Sequence, residues 1–166
     1  MSQEEQLDAI TARFTSAVPE AVRKLIADGH AAFLTTFDAS KTIHVGDKLP
    51  PFTIPDATGK PVSSVDLLAA PGGRFLLVVF YRGEWCPYCN VAVASLQKHL
   101  PDFEARGVTL VAVSPELPNG NLSMTEKHAL RFPVLTDLRN GLARRLGIVK
   151  RTDPIVALEW VDALQK

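Results

Sequence analysis

The sequence predicts an α/β protein: a central, mostly parallel or mixed sheet covered by helices on both faces, with a helical extension ahead of it. Three observations carry that expectation. Two uninterrupted apolar runs, FLLVVFY (Phe75–Tyr81) and VTLVAV (Val108–Val113), read as strands buried on both faces. Stretches with helical periodicity stand between and after them, so strand and helix alternate. The segment GDKLPPFTIPDATGKPV, dense in proline and glycine, separates this alternating region from amphipathic residues at the N-terminus.

The elements follow in chain order. Residues 1–40 form a helical arm, and residues 41–166 the domain proper. Ser2-x-x-Glu5 is a capping box before Leu7, Ile10 and Phe14. Pro19 starts a second helix with Val22, Leu25 and Ile26 on its apolar face, and Gly29 is its expected stop. Phe52, Ile54 and Val62 fit two short strands about a turn at Asp56–Gly59, followed by a helical turn over Val65–Ala70. After the first apolar run comes a helix over Asn90–Leu100, bent at Pro101 and ending near Gly107. The second apolar run leads to a helix over Asn121–Phe132, a short strand at Val134–Thr136 and a basic helical turn at Gly141–Leu146. Asp153-Pro154 caps a last helix with Ile155, Leu158, Trp160 and Val161 as its apolar positions.

Composition bounds the function. Lys+Arg and Asp+Glu are 18 each in 166 residues, which leaves no net field to attract nucleic acid or anionic lipid. No apolar run reaches the roughly 18 residues of a membrane span. The N-terminus, MSQEEQLDAITARF, is acidic and polar, unlike a secretory signal, so the expected compartment is the cytoplasm. Thiols are kept reduced there, and a C-x-x-C pair is then more often catalytic or metal-binding than structural.

The only two cysteines, Cys86 and Cys89, stand in FYRGEWCPYCN at the carboxyl end of the first buried strand, where open α/β sheets place their sites. Pro87 suits the first position of a helix, which makes Cys86 its N-cap. A thiolate there faces unpaired N–H groups and the positive end of the helix dipole, so its pKa is expected to fall below the free value of about 8.5. Cys89 lies one turn on, on the same face, and keeps a higher pKa. Cys86 is therefore the candidate nucleophile and Cys89 the resolving thiol. Arg82 is the candidate cation for the sulfur. Trp85, Pro87 and Tyr88 are candidates for shaping the substrate approach, and Gly83 relaxes the chain between strand and helix. No metal or organic cofactor is expected, because the sulfur pair carries the electrons. Three other readings stand beside this one. The pair forms half of a zinc site, although His30, His44, His99 and His128 lack ligand spacing. The cysteines are inert core residues. The domain is a redox-sensing or redox-inactive dimeric binding module.

The motifs resemble the peroxiredoxin-like branch of the thioredoxin-fold superfamily, the alkyl hydroperoxide reductase/thiol-specific antioxidant group. Four pieces carry the likeness in order: VGDKLPPFTIPD from Val45, the strand with FYRGEWCPYCN, GVTLVAVSP from Gly107, and FPVLTD from Phe132 followed by ARRLG ending at Gly147. The resemblance implies a thioredoxin-like core, antioxidant activity and a peroxide-attacking role for Cys86. It implies a peroxide or disulfide substrate and an external thiol reductant. Two departures stand out. Typical members place Thr or Ser three residues before the attacking cysteine, where this chain has Gly83, and they lack a cysteine at the position of Cys89. The CPYC tetrapeptide is instead similar to that of glutaredoxins. Members also continue past the residues matching Gly147 with a cis-proline loop, a catalytic arginine and two strands. Here the chain passes quickly through Arg151-Thr152-Asp153-Pro154, which reads as an internal shortening. An uncovered edge on the Phe75–Tyr81 strand is the expected consequence, and a homodimer with it.

Overall fold

The computed structural model describes residues 1–70 and 73–149. The expected last helix from Asp153-Pro154 and the question of a cis-proline segment lie outside the described residues. Helix α1 (Gln3–Ala17) begins at the capping box: the Ser2 hydroxyl accepts the Glu5 N–H and the Glu5 carboxylate accepts the Ser2 N–H. Helix α2 (Glu20–Thr36) starts after Pro19 and buries Val22. It does not stop at Gly29. A mid-helix glycine costs only about 1 kcal/mol relative to alanine, and the run His30-Ala31-Ala32-Phe33 carries the helix on to Thr36.

Strands β1 (Thr53–Pro55) and β2 (Pro61–Ser63) form an antiparallel hairpin in which Ile54 faces Val62. The Asp56 carboxylate closes its turn by accepting the N–H groups of Thr58 and Lys60. The short helix α3 (Ser64–Ala69) follows directly. The central sheet is parallel, in the order β3-β4-β5, with β3 at Phe75–Phe80, β4 at Val108–Ser114 and β5 at Val134–Thr136. Helices α4 (Pro87–Lys98) and α5 (Leu100–Ala105), broken at His99 just before Pro101, connect β3 to β4. Helix α6 (Pro118–Lys127) connects β4 to β5, and α7 (Gly141–Arg145) follows.

Two expectations are corrected. The helix expected over Asn121–Phe132 runs instead over Pro118–Lys127. Pro118 fits its first turn, and the chain leaves helical geometry at His128 and Ala129, where φ turns positive. Leu130 and Phe132 still enter the core, so their apolar spacing mimicked a longer helix. The strand at Phe75 is half-buried rather than fully buried, because among the described residues it pairs only with β4 and so forms an edge.

The alternation of β4 divides the core. Leu110 and Ala112 point to one face, where they meet Val93 of α4, Leu100 of α5 and Met124 of α6. Val111 and Val113 point to the other face, against Phe52, Leu142 and Leu146. Both faces of β4 are thus covered, as an uninterrupted apolar run requires. The carboxyl ends of β3 and β4 and the first turn of α4 come together at one rim of this sheet.

Candidate functional site

Cys86 is the N-cap of α4, with Pro87 as the first helical residue. Its sulfur accepts the N–H of Cys89 at 3.4 Å and the Nη2 of Arg82 at 3.0 Å. The side chain is 0% exposed, whereas Arg82 is exposed and Cys89 half-buried. Both cysteines are free thiols. Burial pushes the Cys86 thiol up, but the Cys89 side chain and N–H and the Arg82 guanidinium outweigh it, so its pKa lies below the ordinary thiol value. Cys89 moves the other way: burial first, then the neighbouring Cys86, raise it. The cysteine at the helix start is therefore the more readily ionised, and its mate holds its proton more tightly.

Trp85 lies open to solvent, with the Arg82 guanidinium 5.1 Å from its ring centroid. This cation–π contact is a second restraint on Arg82 beside its bond to the sulfur. Tyr88 projects from the first turn of α4 to Thr11 of α1, with 3.1 Å between the two hydroxyl oxygens. A second tether joins the Ser95 hydroxyl to the Gln3 side chain at 3.0 Å, so α1 lies along α4. Pro87 is exposed beside the buried sulfur. Gly83 has φ +152°, and a Cβ there would come within 2.5 Å of the Trp85 ring nitrogen and 3.1 Å of Glu116 Cδ. The side chain of Thr or Ser does not fit that position in this arrangement, which accounts locally for the first departure noted in the sequence.

Five residues to which sequence reasoning gave no role beside the cysteines complete the site: Glu84, Asn90, Glu116, Lys127 and His128. The Glu84 N–H donates to Glu116 Oε2 at 2.6 Å, and the Glu84 carboxylate meets Lys127 at 3.1 Å. The Asn90 amide donates to the carbonyls of Glu84 at 2.7 Å and Cys86 at 2.9 Å. His128 Nε2 lies 2.8 Å from Asn90 Oδ1. Asn90 had a local signal, since it stands four residues after Cys86 and its side chain turns back over that helical start. Glu116, Lys127 and His128 carried none, being brought in only by the packing of α6 and the loop after β4. Among the described residues, no three His, Cys, Asp or Glu side chains gather where they could hold a metal ion.

The order of strands and helices that builds this site is matched by known proteins. The AhpC/TSA family profile matches residues 45–160. The chain belongs to the AhpC/TSA family. It is 36% identical over 92 residues to a putative peroxiredoxin of Mycobacterium tuberculosis, covering 55% of this chain and 56% of that protein. It is 27% identical over 106 residues to peroxiredoxin Bcp of Escherichia coli K12, covering 64% of this chain and 65% of that one. The match thus spans little more than half the length of the first of these relatives. Among solved structures, the peroxidoxin BcpB of Mycobacterium tuberculosis superposes with a TM-score of 0.59 at 23% identity, over 66% of this chain and 68% of that one. This AhpC/TSA chain has a thioredoxin-like α/β fold with additional N-terminal helices, as the sequence predicts.

Proposed function

We propose that this AhpC/TSA chain is a thiol-dependent peroxidase in which Cys86 attacks and Cys89 resolves. The single observation that carries the reading is the Cys86 sulfur, buried at a helix start and receiving both the Arg82 guanidinium and the Cys89 N–H. The Cys86 thiolate attacks one peroxide oxygen and the O–O bond breaks. The departing alkoxide or hydroxide takes a proton, and Cys86 becomes a sulfenic acid. The Cys89 thiol then attacks that sulfur, water leaves, and a Cys86–Cys89 disulfide forms. An external thiol reductant returns two electrons and two protons. Arg82 stabilises both the thiolate and the charge that develops on the peroxide. Trp85, Pro87 and Tyr88 shape the approach.

One observation favours disulfide exchange as a second reaction of the same pair. Cys89 sits one turn from Cys86 with its N–H on the sulfur, so a mixed disulfide at Cys86 has an internal thiol ready to displace it. Stopped-flow tryptophan fluorescence of the reduced protein, first with hydrogen peroxide and then with an oxidised dithiol, separates the two substrates. A fast change that vanishes in Cys86→Ser supports the reading. Reaction with neither substrate, or an equally fast Cys86→Ser, overturns it.

The compartment proposed is the cytoplasm; no described helix is long and apolar enough to cross a membrane. Dimerisation through β3 is also proposed, since among the described residues its outer edge pairs with nothing. A monomer by sedimentation at micromolar concentration overturns that assembly.

A further inference from the structure

The loop from Arg82 to Cys86 has to stay closed if a guanidinium at one end is to reach a sulfur at the other. Its middle residue, Glu84, has each of its polar groups engaged by a different part of the chain. Its N–H goes to Glu116 in the loop after β4, its carbonyl to Asn90 in α4 and its carboxylate to Lys127 at the end of α6. Asn90 does more than hold Glu84. The same side-chain nitrogen also donates to the Cys86 carbonyl, which already accepts the Asn90 backbone N–H at 3.1 Å. One amide therefore bridges the middle of the loop and the N-cap residue.

Two carbonyls fix which way that amide points. Its Nδ2 is the donor to both, so Oδ1 is left facing His128 Nε2 at 2.8 Å and has to accept. His128 consequently carries its proton on Nε2. Burial first, and Lys127 next, push its pKa below the ordinary imidazole value, so the ring is neutral at pH 7. Protonation adds hydrogen only at Nδ1 and leaves the bond to Asn90 in place. The link is a brace rather than a switch.

We propose that Asn90, oriented by His128, is a positioning residue that closes the Arg82–Cys86 loop and so keeps the Arg82 guanidinium on the Cys86 sulfur. Neither residue touches substrate; both act through the distance between Arg82 and Cys86. The proposal rests on the peroxidase reading for its purpose but not for its test. Without the bridge, Glu84 retains its ties to Glu116 and Lys127, while the Cys86 end of the loop is released from Glu84. The guanidinium then spends less time on the sulfur, and the thiol becomes harder to ionise.

The test is the pH dependence of Cys86 alkylation by iodoacetamide in the reduced full chain, with the modified cysteine identified by mass spectrometry. Asn90→Ala and His128→Leu are expected to slow alkylation about threefold to fivefold near pH 6, equivalent to about half a unit of thiol pKa or slightly more, and less than the loss of Arg82 itself. His128→Gln is expected to restore the wild-type rate, since its side-chain amide nitrogen has a reach similar to that of Nε2. A rate for Asn90→Ala within about twofold of wild type overturns the proposal. If Asn90→Ala does not fold, the histidine pair decides, and equal slowing in His128→Leu and His128→Gln is the outcome that sinks it. Alkylation needs no peroxide. A wild-type protein inert to peroxide but showing these shifts loses the peroxidase reading alone, and a peroxidase whose alkylation ignores Asn90 loses the brace alone.

Discussion

At Cys86 burial and hydrogen bonding oppose each other on one sulfur, and the donors prevail. Arg82 is the only full charge among them, so Arg82→Met is expected to move the rising limb of the pH–rate profile to higher pH. Because Arg82 is exposed and partly screened, the loss near pH 6 is about tenfold or less rather than complete. Peroxide oxidation rates between about pH 5 and 9 check this. Gly83→Thr is expected to destabilise the protein by about 1–3 kcal/mol, read as a lower urea midpoint, since the new side chain meets Trp85 and Glu116 at a φ that L-residues avoid. The helix-start thiol and its mate were legible in the sequence because Pro87 and the three-residue spacing are local signals. The brace from His128 was not, since it joins residues 38 apart that only the tertiary packing brings together.

The elements inherit their order from β4. Its alternate side chains fill both halves of the core, and Met124 of α6 is fully buried on the α4 side. Met124→Ala is expected to cost about 2–5 kcal/mol through the cavity it leaves. The loss should appear in the urea midpoint, with the Cys86 alkylation profile of the folded protein shifting little. Strands and helices that announce themselves by an apolar run or a cap were readable: β4, the Cys86–Pro87 start of α4 and the Ser2 capping box fall where the pattern places them, although α4 ends at Lys98 rather than running on through Pro101. The end of α6 was not readable, because Leu130 and Phe132 serve the same core from a non-helical segment. Gly29 misled for the opposite reason, as a weak local stop overruled by the good helix formers that follow it.

For the molecule as a whole, the buried phenol of Tyr81 links stability to alkaline pH. Burial, against a hydrogen bond with Ser114 and assisted by Glu116 and Cys89, lifts its pKa above the usual range. A raised pKa means that the neutral form is favoured by the fold. Its contribution is fully present below the unfolded phenol value of about 10 and is lost as pH climbs towards the folded value. Cys89, also raised, acts in the same sense from a lower starting value. Cys86, lowered, opposes them: its contribution is present above the ordinary thiol value and is lost as pH falls through the folded one. The urea midpoint of the reduced protein is therefore expected to fall above about pH 10. Tyr81→Phe should flatten that alkaline decline. It should also lower stability at neutral pH by about 1–3 kcal/mol, because the buried Asn121 carbonyl oxygen loses the phenol that donates to it. The sequence spoke for the sheet and its two covered faces. It was silent on this network, whose members are Tyr81 just past β3, Asn121 in α6 and Thr136 in β5, far apart in the chain and individually without a signal.

Thr11 and Tyr88 tie the first helix to the turn that carries the proposed redox pair. Tyr88 stands between the two sulfurs in the chain, so drawing them into a covalent bond tugs on the turn that carries its ring. Helix α1 buries none of its own residues, and the Thr11–Tyr88 bond and the Gln3–Ser95 bond are its side-chain hydrogen bonds to α4 among the described residues. Under the proposed chemistry, closing the disulfide is expected to be felt at this exposed helix some eighty residues earlier, read as a change in α1 hydrogen exchange between the reduced and oxidised protein.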